Sequence, residues 1–458
     1  MQKAKQVFHP AFTIDKVDKR LFGIFLESIG DTIYGKLYNP EHPTADENGF
    51  RTDYMELFKE LKPTLIRAPG GNLISGYHWK DAIGPKDQRL VKEELAWHQR
   101  DNNHVGIDEF FDYCELIGAE FMIATNMGTG TPEEAADEVD YCNTESGTYW
   151  SELRRKNGYE KPHALKLWCV GNEMDGRLWQ ICSKTPMEYA RICEEASKMM
   201  KWMDPTIECV ACGSCTNEIG MDTYGDWDRI VMERCYDYVE YLSIHRYLCY
   251  DKKRKSFYPN FHSVEDIACM YQDLESYLKT VTSAADLVKG QKRSSKDIYL
   301  SFDEYGVAHE DLTDLEIGDL GWTKYPEGNQ GSINLLDALI HGVYAITFLN
   351  HCDRVKIACE SVAIPNLIGG SKDGGVFRQT NFYVFRDFSH FARGGVTLRT
   401  KICSPQVNTP FAGNVDAIQA ATVYNEEDGM ITVFALNLDM RNDFELENDF
   451  SSFGDVVL

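Results

Sequence analysis

Eight short apolar runs, each followed by a helical pattern, restrict the fold of this chain more than any other feature. The runs cover residues 21–27, 64–69, 120–126, 165–173, 207–213, 238–245, 298–304 and 354–359. Helical patterns lie between them at 53–61, 107–117, 132–141, 186–203, 227–236, 264–280 and 332–349, and a further one follows at 380–393. Apolar runs of this length bounded by turn residues are buried strands, and strands that alternate with helices pair in parallel. Eight such units close into a barrel. The expected fold class is α/β, a (β/α)8 TIM barrel over residues 19–394.

After Arg393 the pattern changes to strands at 396–402, 417–424, 430–438 and 444–446, with turn residues at 425–429 and 439–443. This predicts a C-terminal antiparallel β-sandwich domain of residues 395–458, completed by residues 1–18 with a strand at 6–14. A length of 458 residues suits one large barrel and one smaller domain. Thr131 as cap, Pro132 at the first helical position and Glu134 as the return partner predict a capping box for the helix at 132–141.

In a parallel barrel the chemistry sits at the C-terminal ends of the strands, where the βα loops converge. The fourth run, LKLWCVGNEMDG over 165–176, breaks at Gly171-Asn172 and places Glu173 just past its strand. A carboxylate there, beside an amide able to bind a sugar hydroxyl, is a candidate general acid/base; the alternative is a cap on the next helix. The seventh run, DIYLSFDEY over 297–305, ends in a second carboxylate, Glu304. Two such strand ends are what double-displacement glycoside hydrolysis needs, one acid/base and one nucleophile across a sugar. Arg67 ends the second run ahead of Pro69-Gly70-Gly71-Asn72, whose glycines let backbone approach a ligand closely. Arg67 either keeps the nucleophile ionised or forms a structural ion pair. Glu27 ends the first run in the same layer, where it would bind hydroxyls. His245 and Tyr247 end the sixth and point to the same face, unless His245 is a hydrogen-bonded core residue.

Charge narrows the substrate. With 47 basic and 72 acidic residues the chain carries a formal −25, which repels phosphate backbones and anionic lipid. No nucleic-acid or membrane partner is expected, and a neutral substrate fits. The N-terminus MQKAKQVFHPAF lacks the apolar core of a secretory signal, and no stretch reaches the roughly 18 apolar residues of a spanning helix. The 14 cysteines read as reduced thiols of a cytoplasmic protein. Cys209, Cys212 and Cys215 have metal-like spacing, but two fall on a strand and read as structural thiols, so no metal or cofactor is assigned. Gly128-Thr129-Gly130 is too short for a dinucleotide fingerprint. The basic run Lys252 to Lys255 reads as a solvated loop.

The stretches FLESIGDTIYGKLYNPEHPTADENGFR, IRAPGGNLISGYHW, YEKPHALKLWCVGNEMDG and LSFDEY together resemble the intracellular α-L-arabinofuranosidases of glycoside hydrolase family 51. The resemblance covers residues from about Leu21 to Gly454. It implies retention of anomeric configuration, no cofactor, an arabinose-containing oligosaccharide as substrate, and a homo-oligomer, commonly a hexamer. By motif, Glu173 matches the family's acid/base and Glu304 its nucleophile, while Glu27, Asn72, Asn172 and Tyr247 match positions contacting the sugar or the nucleophile. The chain differs from the family at Ser28, where His is usual, and at Asp31, where Arg is usual. Tyr305-Gly306 replaces Trp-Asn, and no glutamine lies between Ala358 and Asn366. Family members also continue past the final FGDVVL, so a shortened sandwich is expected. The implied activity is exo-release of terminal α-L-arabinofuranose from arabinan or arabinoxylan oligosaccharides. The alternatives are a related furanosidase or β-xylosidase, and an inactive glycan-binding homologue.

Overall fold

The computed structural model describes residues 1–177, 179–215, 225–248, 266–307, 333–409, 413–454 and 456–457. The basic run 252–255, the first two residues of the expected 264–280 helix and Ser332 lie outside them.

Eight parallel strands close into a barrel: Gly23–Phe25, Leu65–Ala68, Glu120–Thr125, Leu167–Val170, Glu208–Cys212, Tyr241–Leu248, Tyr299–Val307 and Val355–Glu360. Each pairs with the next in sequence, and the eighth returns to the first through Cys359↔Gly23 and Glu360↔Ile24. Side-chain alternation divides the apolar residues into two layers. Phe25, Leu65, Met122, Leu167, Val210 and Ile357 fill the barrel interior. Ile24, Ile66, Phe121, Trp168 and Phe302 face outward into the helix layer. At the N-terminal floor Arg20 gathers Glu120 at 2.9 Å and Tyr241 at 3.1 Å, and also binds Glu208. This ion cluster ties strands three, five and six together on the face that serves stability.

The helices Thr52–Leu61, Ile107–Ile117, Pro132–Asn143, Pro186–Met203, Asp226–Cys235, Leu335–Asn350 and Thr380–Ala392 lie where periodicity put them. Two differences have physical causes. The helix expected to stop at 280 runs from Ile267 to Lys292. Thr280 to Ser283 are poor helix formers, but Val281, Ala285 and Val288 continue the buried stripe and override propensity. An extra helix, Tyr149–Lys156, fully buries Ser151 and Arg154 and packs only Trp150 and Leu153 partly against the core, an apolar stripe too short to stand out in sequence. The Thr131 side chain accepts from the Glu134 N–H at 3.1 Å. The expected box does not close, because the Glu134 carboxylate turns to His78 at 2.9 Å.

Besides three two-stranded hairpins, the described residues form a second large sheet of five strands in the order Met430–Asn437, Ile418–Asn425, Val396–Cys403, Gln2–Lys16 and Phe444–Asp449. Pairing is antiparallel except between Gln2–Lys16 and Phe444–Asp449, which run parallel. The first strand of the chain is therefore internal to the sheet. Helix Leu335–Asn350 joins sheet to barrel, with Asn350 Nδ2 donating to the Ala420 carbonyl at 3.1 Å.

Candidate active site

Arg67 is the hub. It alternates with Leu65 onto the barrel interior and is 1% exposed. A guanidinium buried this deeply must be surrounded by acceptors. Its Nη1 donates to Glu304 Oε1 at 2.7 Å and its Nη2 to Asn172 Oδ1 at 2.6 Å. Its Nε lies 3.3 Å from Asp303 Oδ2, and the guanidinium stacks over Phe25 at 4.8 Å. The structure thus joins the second, fourth and seventh strands through one side chain.

The fourth strand ends at Val170, and the chain then turns sharply through Gly171 at φ 98°. Glu173 follows at φ 42°, a left-handed conformation uncommon for a residue with a side chain. Its Oε1 is 3.0 Å from His245 Nδ1, and its Oε2 accepts the Trp179 indole N–H at 2.5 Å. It caps no helix; its carboxylate faces the barrel mouth. Two residues on, Asp175 accepts from both the thiol and the N–H of Cys215, at 2.8 and 2.9 Å, locking this loop to the one after the fifth strand. Cys209 and Cys212 lie on the fifth strand, so the three cysteines do not converge on one point.

Ser243, His245 and Tyr247 alternate onto one face of the sixth strand. His245 Nε2 meets Ser243 Oγ at 3.2 Å and Asp303 Oδ1 at 3.3 Å, and its Nδ1 also approaches Glu304 Oε2 at 3.7 Å. Tyr247 donates to Glu304 Oε2 at 2.7 Å. Both oxygens of Glu304 therefore have a donor. The facing atoms of Glu173, His245 and Glu304 all lie within 4.8 Å of one another.

Burial disfavours the His245 imidazolium, but the Glu304 charge, with Asp303 and Glu173, outweighs it and lifts the pKa to about 10. Burial likewise opposes the Asp303 carboxylate, yet Arg67 and then His245 bring it down to about 2. Glu173, His245 and Glu304 have the spacing of a three-ligand cation site, and their facing atoms already contact one another, Trp179 and Tyr247.

Other expected residues sit around this cluster. Glu27 lies across Gly71 from Glu304: its Oε1 accepts the Gly71 and Leu73 N–H groups at 3.0 and 2.9 Å, and burial, with the Glu304 charge, pushes its pKa up to about 8. It shapes the glycine loop. A Cβ at Gly71 would lie 2.7 Å from Glu304 Oε1, so glycine there is a requirement of the nearby carboxylate. Asn72 opens the turn Asn72–Ser75, half-buried, with its carbonyl accepting from Gln180 Nε2 at 3.4 Å. Asn172 bridges Arg67 and, at 3.5 Å, Gln180. Ser28 binds Gln99 of the hairpin Lys92–Glu94/Gln99–Asp101, and Asp31 pairs with Lys36 at 2.8 Å. Tyr305 packs outward on Tyr344 and Phe348.

Sequence reasoning passed over Asp303, Trp179, Ser243 and Ser361. Asp303 had a usable signal: in the strand's phase it falls on the interior with Tyr299 and Ser301, where a carboxylate must find cations. Trp179 and Ser361 lie in loops, where no periodicity speaks.

Two family models match the chain, the α-L-arabinofuranosidase 1 domain over residues 57–266 and the α-L-arabinofuranosidase C-terminal domain over 303–456. The chain is 40% identical to an intracellular exo-α-(1→5)-L-arabinofuranosidase of Halalkalibacterium halodurans, over 98% of this chain and 88% of that one. It is 36% identical to an exo-α-(1→6)-L-arabinofuranosidase of Bifidobacterium longum, over 98% and 85%. Its structure superposes on AbfB, a family 51 α-L-arabinofuranosidase from Bifidobacterium longum, with a TM-score of 0.92 at 35% identity, covering 99% and 89%.

Proposed function

This chain belongs to the α-L-arabinofuranosidases of glycoside hydrolase family 51, and from that premise we propose that it releases terminal α-L-arabinofuranosyl units from arabinan or arabinoxylan oligosaccharides inside the cell, with Glu304 as nucleophile and Glu173 as acid/base. The observation that carries the assignment is the separation of the two carboxylates, no more than 4.8 Å between facing atoms. Retaining enzymes hold their carboxyl groups about 5–5.5 Å apart, and inverting ones leave room for a water.

The surroundings divide the roles. Arg67, Tyr247 and His245 all face Glu304, which suits a carboxylate that attacks an anomeric carbon and later leaves it. Asp303, Glu304 and Glu173 share two cations, Arg67 and His245, so the cluster is one positive charge short. Glu173, the carboxylate that Arg67 does not contact, is left for the acid/base role. In the first step Glu304 bonds to the anomeric carbon as the glycosidic bond breaks, and the Glu173 proton passes to the departing oxygen. In the second, Glu173 takes a proton from water, the water oxygen bonds to the anomeric carbon, and Glu304 leaves as carboxylate.

Proton NMR of arabinofuranoside hydrolysis should show the α-anomer first, and inactivation by a 2-fluoro-arabinofuranosyl donor should label Glu304. First appearance of the β-anomer would overturn the mechanism. A panel of nitrophenyl glycosides decides the glycone, and preference for xylopyranoside would favour the β-xylosidase alternative. Linear (1→5) and branched (1→6) arabinose oligosaccharides decide the linkage, since relatives of both names match.

A further inference from the structure

Tyr247 has a second partner besides the nucleophile. Its hydroxyl oxygen lies 2.5 Å from Ser361 Oγ, at the end of the eighth strand, and Ser361 is 2% exposed. A phenol has one proton, and an attacking carboxylate can only accept. If Tyr247 gives that proton to Glu304 at 2.7 Å, the proton between Tyr247 and Ser361 belongs to the serine.

We propose that Ser361 is a positioning residue of the nucleophile: its hydroxyl donates to Tyr247 and commits the phenolic proton to Glu304. This rests on Glu304 being the nucleophile. Aligned hydroxyls polarise one another, so Tyr247 becomes a stronger donor to the oxygen on which negative charge returns as the glycosyl-enzyme breaks down.

The backbone around Ser361 is built for this contact. Its N–H donates to the Tyr305 carbonyl at 2.9 Å, and its carbonyl accepts from Asn366 Nδ2 at 2.8 Å. Gly306 sits beside Tyr247 in the strand register. A Cβ at Gly306 would lie 2.7 Å from the Ser361 carbonyl oxygen, a backbone atom that two hydrogen-bonded neighbours hold in place. The glycine that distinguishes this chain after its nucleophile is therefore what allows Ser361 to come close to Tyr247. Two separate residues, one supplying a hydroxyl and one supplying space, serve a single phenolic proton.

The test is a double-mutant cycle on an activated aryl arabinofuranoside, where breakdown of the glycosyl-enzyme limits kcat. Ser361→Ala should lower kcat about five-fold, the usual worth of one neutral hydrogen bond, and lower KM in proportion, so that kcat/KM is not reduced. In a Tyr247→Phe background the same change should cost nothing further. Gly306→Ala should reproduce the Ser361→Ala loss and show the same dependence on Tyr247, while Ser361→Thr, which keeps the hydroxyl, should recover most of the rate. Circular dichroism and unfolding midpoints identify variants that fail to fold, and Ser361→Thr against Ser361→Ala keeps the comparison open if one does. An equal loss from Ser361→Ala with and without the Tyr247 hydroxyl, or no loss at all, overturns the proposal. Labelling of a residue other than Glu304 by the fluoro-sugar would instead overturn the underlying reading, so the two failures are distinct.

Discussion

Replacing Asp303 by Asn removes the charge on which both Arg67 and His245 depend. The carboxylate is 0% exposed, 3.3 Å from Arg67 Nε and 3.3 Å from His245 Nε2, and Ser243 donates to it at 2.5 Å. Its fall from an ordinary pKa of 3.8 to about 2 corresponds to about 2.5 kcal/mol of stability, at about 1.4 kcal/mol per tenfold change in proton affinity. A lowered acid stabilises the fold above its unfolded pKa and loses that contribution as pH falls through the folded value. The asparagine also leaves two buried cations with one anion fewer, so the full cost at pH 7 should reach about 3–5 kcal/mol. Urea unfolding followed by tryptophan fluorescence at pH 7, 5 and 3 measures it. The gap between wild type and variant should hold from pH 7 to 5, and the linkage part should shrink to roughly half by pH 3. A gap under about 1 kcal/mol at pH 7, or one that does not move with pH, would show that Asp303 is not the ionised partner described here.

Other expectations follow from the same contacts. Glu173→Ala should lose roughly 10²–10⁴-fold on natural glycosides, yet still form the intermediate from aryl glycosides, and azide should yield a glycosyl azide of retained configuration; an inverted azide would exchange the two roles. Gly71→Ala, whose new methyl would lie 2.7 Å from Glu304 Oε1, should cut kcat on the order of 100-fold while the fold persists, as steady-state kinetics beside circular dichroism would reveal. Stability should decline as pH rises from about 4.5 to 10. His245 has its pKa raised from 6.5 to about 10, so its contribution is complete below the lower value and lost by the higher, and Glu27, raised from 4.5 to about 8, acts with the same sign. Unfolding midpoints at pH 6, 8 and 10 check this, and His245→Gln should flatten the upper part of the decline.

The barrel was legible because its strands bury both faces and its helices bury one stripe, so each leaves a pattern in apolar residues alone. The elements that escaped lack that pattern. Helix Tyr149–Lys156 is only eight residues long and packs just Trp150 and Leu153 partly against the core, and the hairpin Lys92–Glu94/Gln99–Asp101 is three residues per strand. The two carboxylates were legible from strand ends plus the chemistry that demands a pair. What supports them was not, because Trp179, Gln180 and Ser361 reach the site from loops whose course no local rule dictates. Glu27 shows another limit: in sequence, a carboxylate whose Oε1 accepts the Gly71 and Leu73 N–H groups looks the same as one without those contacts.

The seventh strand shows why the surroundings of Glu304, the proposed nucleophile, needed the structure. In a regular strand successive side chains point to opposite faces. Tyr299 lines the barrel interior while Leu300 and Phe302 pack among the helices, so Asp303 is due inside and Glu304 outside. Yet Arg67 touches both, Asp303 through Nε and Glu304 through Nη1. The contradiction is resolved by pairing that slips between Ser301 and Glu304 against the sixth strand, and between Phe302 and Tyr305 against the eighth. The strand does not end at Glu304 but bends there and runs on to Val307. The irregularity turns two consecutive acids toward one guanidinium: the inner, Asp303, holds Arg67 and His245, and the outer, Glu304, faces the mouth with both oxygens already met by donors. Straightening this strand would return Glu304 to the helix layer, where Phe302 and Tyr305 already pack against Phe348. The site therefore depends on a local break in the same alternation that makes the barrel foldable.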